Sequence, residues 1–142
     1  MTTAAPSAAP QTSRARYLGL AVGASLVQMA MMIPGYSDNG SFQTMEWLTV
    51  LAISLVVGLL VFAFAVPHGG VVTGLVLGVV AVLSTLVFWA GVTMPLAAAA
   101  IVVGWRLRES GEHRTPATIV LALGGLSLVA LVAIIIGDAI AN

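Results

Sequence analysis

Residues 71–105, VVTGLVLGVVAVLSTLVFWAGVTMPLAAAAIVVGW, decide the fold because they form 35 consecutive positions without an ionisable side chain. The run ends at a charged segment that begins with Arg106. As one straight helix it would be about 52 Å long at about 1.5 Å per residue, whereas the hydrocarbon core of a bilayer is about 30 Å thick. The sequence therefore predicts a multi-pass membrane protein whose chain reverses inside this run, near Met94, where Gly91 and Pro95 favour a turn.

The composition of the whole chain agrees with a membrane location. Hydrophobic residues make up 60% of the 142 positions and charged residues 7%, whereas soluble domains are about 25% charged. A chain of this length has room for one helical bundle and for no separate catalytic domain. All five basic residues are Arg, and Ala, Gly, Val and Leu are abundant, which is typical of a GC-rich bacterial genome. We therefore predict a protein of the bacterial cytoplasmic membrane.

Charge and cysteine content exclude several functions. The net formal charge is zero, so the basic surface that nucleic-acid binding requires is missing. The absence of cysteine excludes disulfides, thiolate metal sites, iron–sulfur clusters and a cysteine nucleophile. The sequence also lacks a glycine-rich phosphate loop, a Gly-x-Ser-x-Gly motif and a carboxylate pair inside an apolar segment. We expect no enzymatic activity and no cofactor.

Apolar runs and the turn residues between them predict an all-α integral membrane bundle with five transmembrane helices. These cover residues 17–33, 47–66, 71–88, 92–107 and 117–136. Residues 1–16 are mostly small and polar, so they are predicted to form a disordered cytoplasmic tail, and residues 17–142 a single transmembrane domain. The fourth helix is the shortest, and it remains feasible because Arg106 and Arg108 can extend their guanidinium groups to the interface.

The placement of charge favours five helices over an alternative of four, in which the third and fourth helices are fused. Five crossings with a cytoplasmic N-terminus and an external C-terminus put every Arg on the cytoplasmic side, as the positive-inside rule favours. These residues are Arg14, Arg16, Arg106, Arg108 and Arg114. Four crossings would place the last three opposite the first two.

The first helix also shares features with a cleavable signal peptide, because a charged segment precedes an apolar run. That run has 17 residues, longer than the usual length of about 7 to 15, and no Ala-x-Ala site follows it. We therefore predict an uncleaved signal anchor.

Small residues spaced four positions apart predict where the helices pack, because close backbone approach supplies much of the packing energy in lipid. Gly70, Gly74 and Gly78 form such a face on the third helix, and Gly19 and Gly23 form one on the first. Similar pairs occur at Ser54 and Gly58, Ala100 and Gly104, and Ala133 and Gly137. These faces either hold one chain's own bundle together or, in the case of the third helix, dock a second subunit.

Polar side chains inside the first helix suggest a second role. Ser25 and Gln28 lie one turn apart on one face, so they could line a polar path across the membrane. The alternative is structural, because such an amide commonly bonds to a neighbouring helix and contributes about 0.6 to 2 kcal/mol. Asp138 lies beyond the last apolar run and is expected at the interface, which disfavours proton transport.

Two groups of potential metal ligands have simpler interpretations. The methionines of residues 29–32 could bind Cu(I), but no Cys or His is predicted on their side of the membrane, so we interpret them as packing residues. Glu109, Glu112 and His113 lack the spacing of a zinc-protease motif and are expected in a solvated loop. We therefore predict no metal site.

These observations together predict a small multi-pass membrane protein that acts through helix–helix packing, as a non-enzymatic accessory or structural subunit. Its expected partners are the lipid bilayer and either another membrane protein or further copies of itself. The alternative is an oligomeric small-solute transporter or channel, in which Ser25 and Gln28 line the route.

Overall fold

The computed structural model describes residues 11–38, 41–111 and 113–141, and these residues are almost entirely helical. The prediction of an all-α protein is therefore confirmed. Helix α1 begins at Gln11, so residues 11–16 of the predicted disordered tail are helical. This extension has a simple physical reason, because Ala and Arg are good helix formers and continue the helix beyond the apolar run. Residues 1–10 lie outside the described part of the chain.

The described residues contain five α-helices, two of which continue into a different helical geometry. The helices are α1 (Gln11–Met31), α2 (Thr44–Leu60), α3 (Val71–Ser84), α4 (Thr93–Glu109) and α5 (Arg114–Ala141). Helix α2 continues as π-helix over Val61–Ala65, and α3 continues as 3-10 helix over Thr85–Ala90. After α1 come a 3-10 turn and two short antiparallel strands. Their bounds are Ile33–Tyr36 for the turn, and Ser37–Asp38 (β1) and Ser41–Phe42 (β2) for the strands.

The long uncharged run reverses at residues 85–92. Gly91 has φ +71°, in the left-handed region that favours glycine, and a methyl group placed on it would lie 2.7 Å from Val50 Cγ1. The predicted reversal is therefore present but lies earlier in the sequence. Met94 and Pro95 belong to the first turn of α4, where proline is tolerated because its missing N–H would lack an intrahelical acceptor.

Helices α3, α4 and α5 pack closely through glycine. A methyl group on Gly74 would lie 3.0 Å from Val103 on α4 and 3.1 Å from Val120 on α5. One on Gly78 would lie 2.9 Å from Leu123 Cβ. Gly74 lies against Val103, whereas Ser84, further along α3, bonds to Thr93 at the start of α4, so residue numbers fall along α4 as they rise along α3. The two helices are antiparallel, and α5 runs in the direction of α3.

Helices α1 and α2 form an antiparallel hairpin against α4. Ser25 on α1 bonds to Ser54 on α2, whereas Trp47, at the start of α2, bonds to Met29 near the end of α1. Helix α4 is the central element, because α1, α2, α3 and α5 all pack against it. Nine of its 17 residues are buried, and many of them are alanines, which let the surrounding helices approach closely.

The alternating directions of the helices bring all five arginines to one end of the bundle. One end, called the arginine end, carries Arg14, Arg16, Arg106, Arg108 and Arg114, because the start of α1, the end of α4 and the start of α5 meet there. The opposite end, called the acidic end, carries Asp38, Glu46 and Asp138. Helix α5 reaches the acidic end, where it contacts the 3-10 turn that follows α1.

Among the residues that the structure describes, two helical segments are long and apolar enough to cross a membrane. They are Thr44–Ala65 and Arg114–Ala141, whose most apolar 18-residue stretches have mean hydropathies of 2.7 and 3.0. The segment Val71–Val87 is apolar but shorter. These two helices agree with a membrane location, and their length and composition do not by themselves establish five crossings.

Candidate functional site

Buried polar groups from α1, α3 and α4 meet at the start of α4. Gln28 is fully buried, and its Oε1 accepts a hydrogen bond of 2.8 Å from the backbone N–H of Met94. The first N–H groups of a helix have no acceptor within that helix, so a buried helix start needs partners from elsewhere. Gln28 satisfies one of these groups, and Pro95 carries none. Gln28 therefore caps the central helix.

Hydroxyl groups close the turn between α3 and α4. Thr93 Oγ1 donates to the backbone oxygen of Ser84 at 3.0 Å. Ser84 Oγ lies 2.7 Å from the backbone oxygen of Ala81 and 3.1 Å from Thr93 Oγ1. Both residues are buried, so these bonds fix the end of α3 beside the start of α4 in an apolar environment.

A third polar contact joins α1 to α2. Ser25 is fully buried and its Oγ donates to the backbone oxygen of Ser54 at 3.2 Å. Gly58 allows this approach, because a methyl group there would lie 3.2 Å from Ser25 Oγ. The hydroxyl of Ser54 is itself buried and has no hydrogen-bond partner in the described structure. Ser25 and Gln28, predicted to line a polar path, thus lie in the interior and both bond to neighbouring helices.

The chemistry of this cluster is limited to hydroxyl, amide and thioether groups. Among residues 11–38, 41–111 and 113–141, no group of three or more His, Asp or Glu side chains could hold a metal ion. Met29 is fully buried, and its sulfur would lie 3.3 Å from a methyl group on Gly91. Met45, by contrast, is 78% exposed. Met29 therefore packs against the turn.

The predicted packing glycines fall into two groups. Gly74 and Gly78 lie against α4 and α5 of the same chain, so their face is already covered. A methyl group on Gly19, Gly23 or Gly70 would meet nothing within 4 Å. Gly19 and Gly23 are exposed on α1, so any packing through them must involve another molecule.

Close packing also involves a glycine that spacing did not reveal. A methyl group on Gly124 would lie 2.8 Å from Ile101 Cγ1 and 3.1 Å from the backbone oxygen of Ala97. Its neighbours four positions away, Val120 and Leu128, are large, so no small-residue pair marks it. Gly104, which does belong to such a pair, lies against Leu121.

The arginine end has polar contacts of its own. The guanidinium of Arg106 donates to the backbone oxygen of Val66, which follows the π-helical end of α2. Trp105 Nε1 donates to Glu109 Oε1 at 2.8 Å, and His68 Nδ1 lies 3.0 Å from the backbone oxygen of Phe64. Trp105 is 57% exposed, so this end presents an aromatic ring beside the arginines.

The chain offers two candidate regions, a buried polar cluster that joins four helices and an exposed glycine face on α1. The cluster has the chemistry of a packing element, since its donors and acceptors are used mainly between helices. No protein-family model matches the chain, and no curated protein or solved structure is significantly similar to it.

Proposed function

We propose that the protein crosses the bacterial cytoplasmic membrane five times, with its N-terminus in the cytoplasm and its C-terminus outside. We further propose that it is a non-enzymatic accessory subunit, which binds a partner membrane protein through the exposed glycine face of α1. The surface, the dimensions and the charge distribution support the membrane placement. The open face of α1 supports the accessory role.

The apolar surface favours lipid as the surroundings of the helices. In the most apolar 18-residue stretch of segment 44–65, only 17% is buried within the chain, and in the corresponding stretch of α5 only 22% is buried. The core helix of a soluble protein is instead mostly buried. Large side chains such as Phe64 and Val129 are exposed. A monomeric soluble protein rarely exposes apolar patches of more than a few hundred Å².

Helix lengths fit a bilayer whose hydrocarbon core is about 30 Å thick. At about 1.5 Å per residue, the 21 residues of α1 span about 31 Å, and the 22 residues of segment 44–65 about 33 Å. The apolar helix Val71–Val87 is shorter, with 17 residues that span about 25 Å, because the helical geometry breaks at Val87 (φ −120°, ψ 45°). The 17 residues of α4 span only about 25 Å, but the other helices enclose α4, so the mismatch with lipid is reduced.

Charged and aromatic residues favour the proposed orientation. All five Arg lie at one end, which the positive-inside rule assigns to the cytoplasm. Tyr17 and Trp105 lie towards the arginine end, and Trp47 and Trp89 lie towards the acidic end. Aromatic belts at both membrane interfaces have this arrangement.

The open face of α1 carries the proposal of an accessory role. Helix α1 buries one narrow stripe that includes Ala21 and Ser25. Gly23 is two positions from Ala21 and two from Ser25, and a step of two positions turns about 200° around a helix. Gly23 therefore lies on the side of α1 opposite to the buried stripe, and so does Gly19, two positions before Ala21. Small residues are enriched where membrane helices pack, and here no part of the described chain covers them. A helix of another protein would fill this face.

Affinity purification of the tagged chain from native membranes tests the proposal. We expect a foreign membrane protein in stoichiometric amount, which Gly23→Leu removes. The matched control is Gly125→Leu on α5, because a methyl group on Gly125 also meets nothing within 4 Å. This control variant should keep the partner, and circular dichroism should show unchanged helix content in both. Recovery of a homo-oligomer alone, or of a partner that both variants retain, would contradict the proposal.

A small-solute transporter built from several copies is the second candidate. The observation that favours it is the buried, unpartnered hydroxyl of Ser54. Against it, Ser25 and Gln28 are bonded inside the chain, so a route along them would require the helices to separate. The test is solute flux through the wild-type protein in liposomes. If Ser54→Ala stops this flux and leaves the assembly of the protein unchanged, the transporter is favoured over the accessory subunit.

A further inference from the structure

We propose that the arginine end binds the phosphate groups of anionic phospholipids, on a surface formed by Arg14 and Arg16 on α1 and by Arg106 and Arg108 on α4. This inference rests on the proposed membrane placement. It goes further because it assigns a ligand to one end of the molecule and excludes that ligand from the other.

The register of two antiparallel helices brings these arginines to one level. The bond between Gln28 and the N–H of Met94 fixes α1 against α4. Arg16 lies 12 residues before Gln28, and Arg106 lies 12 residues after Met94. At about 1.5 Å per residue, both are about 18 Å from that bond, in the same direction. Arg14 and Arg108 are each two residues further along, so all four arginines lie within about 3 Å of one level along the helix axes, although the members of each pair point to different sides of their helix.

Packing keeps the start of α1 close to the bundle at this level. Tyr17, which follows Arg16 directly, packs against the hydrophobic core, to which Leu107 also belongs, and α1 contacts both α4 and the π-helical end of α2 beside Val66. Leu107 lies between Arg106 and Arg108 on α4. The arginine pairs therefore lie on neighbouring helices.

Acidic residues do not balance this charge. The sequence of the arginine end contains two acids, Glu109 and Glu112, against five Arg, which leaves an excess of three positive charges. Glu109 already accepts a hydrogen bond from Trp105. The acidic end has the opposite excess, from Asp38, Glu46 and Asp138. An anionic lipid is therefore attracted to one end and repelled from the other.

The depth of Arg106 suits a lipid headgroup. Its guanidinium binds the backbone oxygen of Val66, immediately after the helical part of α2 ends, which places the charge where the chain leaves the apolar layer. A guanidinium has five N–H donors in a planar fork that matches a phosphate, and this bond uses one of them. Arginine binds phosphate in this bidentate manner, unlike lysine, which the chain lacks.

Tryptophan fluorescence provides a reporter at each end of the molecule. A full-length chain with Trp47→Phe and Trp89→Phe keeps only Trp105, next to Arg106, and one with Trp47→Phe and Trp105→Phe keeps only Trp89 at the acidic end. Each is reconstituted into phosphatidylcholine vesicles that contain an equal fraction of brominated phosphatidylcholine or brominated phosphatidylglycerol. The ratio of quenching by the two brominated lipids gives the relative association of the anionic lipid around each tryptophan.

We expect an association ratio of about five or more at Trp105, since each Arg near an anionic surface contributes about a fivefold preference. At Trp89 the ratio should be one or lower. Arg108→Gln should lower the ratio at Trp105 about fivefold while keeping the bond between Arg106 and Val66. The control Glu46→Gln should leave it unchanged. Inorganic phosphate, added on both sides of the vesicle membrane, distinguishes a lipid headgroup from free phosphate as the ligand. If the arginines bind lipid, the quenching ratio at Trp105 stays the same, whereas if they bind free phosphate, the added phosphate lowers this ratio.

Equal quenching of Trp105 by both brominated lipids would overturn the inference and leave the membrane placement intact. Absence of quenching by either lipid would contradict the membrane placement itself. A ratio that Arg108→Gln does not change would also overturn the site, because the preference would then arise elsewhere.

Discussion

At the scale of single residues, the sequence identifies which polar groups matter but not what they bond to. Gln28 is conspicuous as an amide inside an apolar helix, and structural or path-lining roles were both open from the sequence. Its partner is the backbone N–H of Met94, 66 positions away. A backbone group has no signature in the sequence, and its need for a partner arises only because α4 begins inside the protein.

Removal of this cap should weaken the fold. Gln28→Leu leaves the Met94 N–H without an acceptor in an apolar environment, so we expect a loss of about 1–3 kcal/mol in the free energy of unfolding. Unfolding in mixed detergent micelles, followed by circular dichroism, measures it. The control is Thr118→Ala, because the exposed Thr118 hydroxyl bonds only to the backbone oxygen of Arg114 in its own helix. Equal stability of Gln28→Leu and the wild type would show that the cap contributes little.

At the scale of the elements, apolar runs predicted the helices well and their ends less well. The predicted segment 92–107 corresponds to α4 at Thr93–Glu109, and the segment 117–136 lies within the longer α5. Hydropathy follows the apolar layer, whereas a helix continues through charged residues until its hydrogen bonding stops. The π-helical end of α2 contains the fully buried Phe62, and its geometry depends on how this side chain packs in the core. The local sequence therefore does not predict the π-helix.

The reversal in the long uncharged run depends on Gly91, and a second glycine provides the comparison. Gly91 and Gly111 have φ of +71° and +74°, so alanine costs about 1–2 kcal/mol of backbone strain at each. Only at Gly91 would the added methyl group also meet Val50, at 2.7 Å, whereas Gly111 has nothing within 4 Å. We expect Gly91→Ala to lower the free energy of unfolding by at least about 1 kcal/mol more than Gly111→Ala. Equal losses in the two variants would mean that Val50 moves aside and that the turn is not tightly packed.

At the scale of the whole molecule, α3, α4 and α5 pack through glycine, and the hairpin of α1 and α2 joins them through polar contacts and through apolar residues such as Ala21 and Phe62. Small-residue spacing predicted Gly74 and Gly78, which lie against α4 and α5, but it could not say which glycines stay open. That distinction depends on how the helices are rotated about their axes, which spacing within one helix does not determine. The position of all five Arg at one end, by contrast, follows directly from the number of reversals in the chain.

We propose that the chain crosses the bilayer an odd number of times, with every Arg on the cytoplasmic side. Because the chain has no cysteine, single cysteines report position without background. We choose Ala15→Cys and Ser110→Cys for the arginine end, and Met45→Cys and Ala141→Cys for the acidic end. An impermeant thiol reagent applied to intact cells should label the last two and should label the first two only after the membrane is opened. Labelling of Ala15→Cys and Ala141→Cys from the same side would contradict five crossings and the proposed orientation with them.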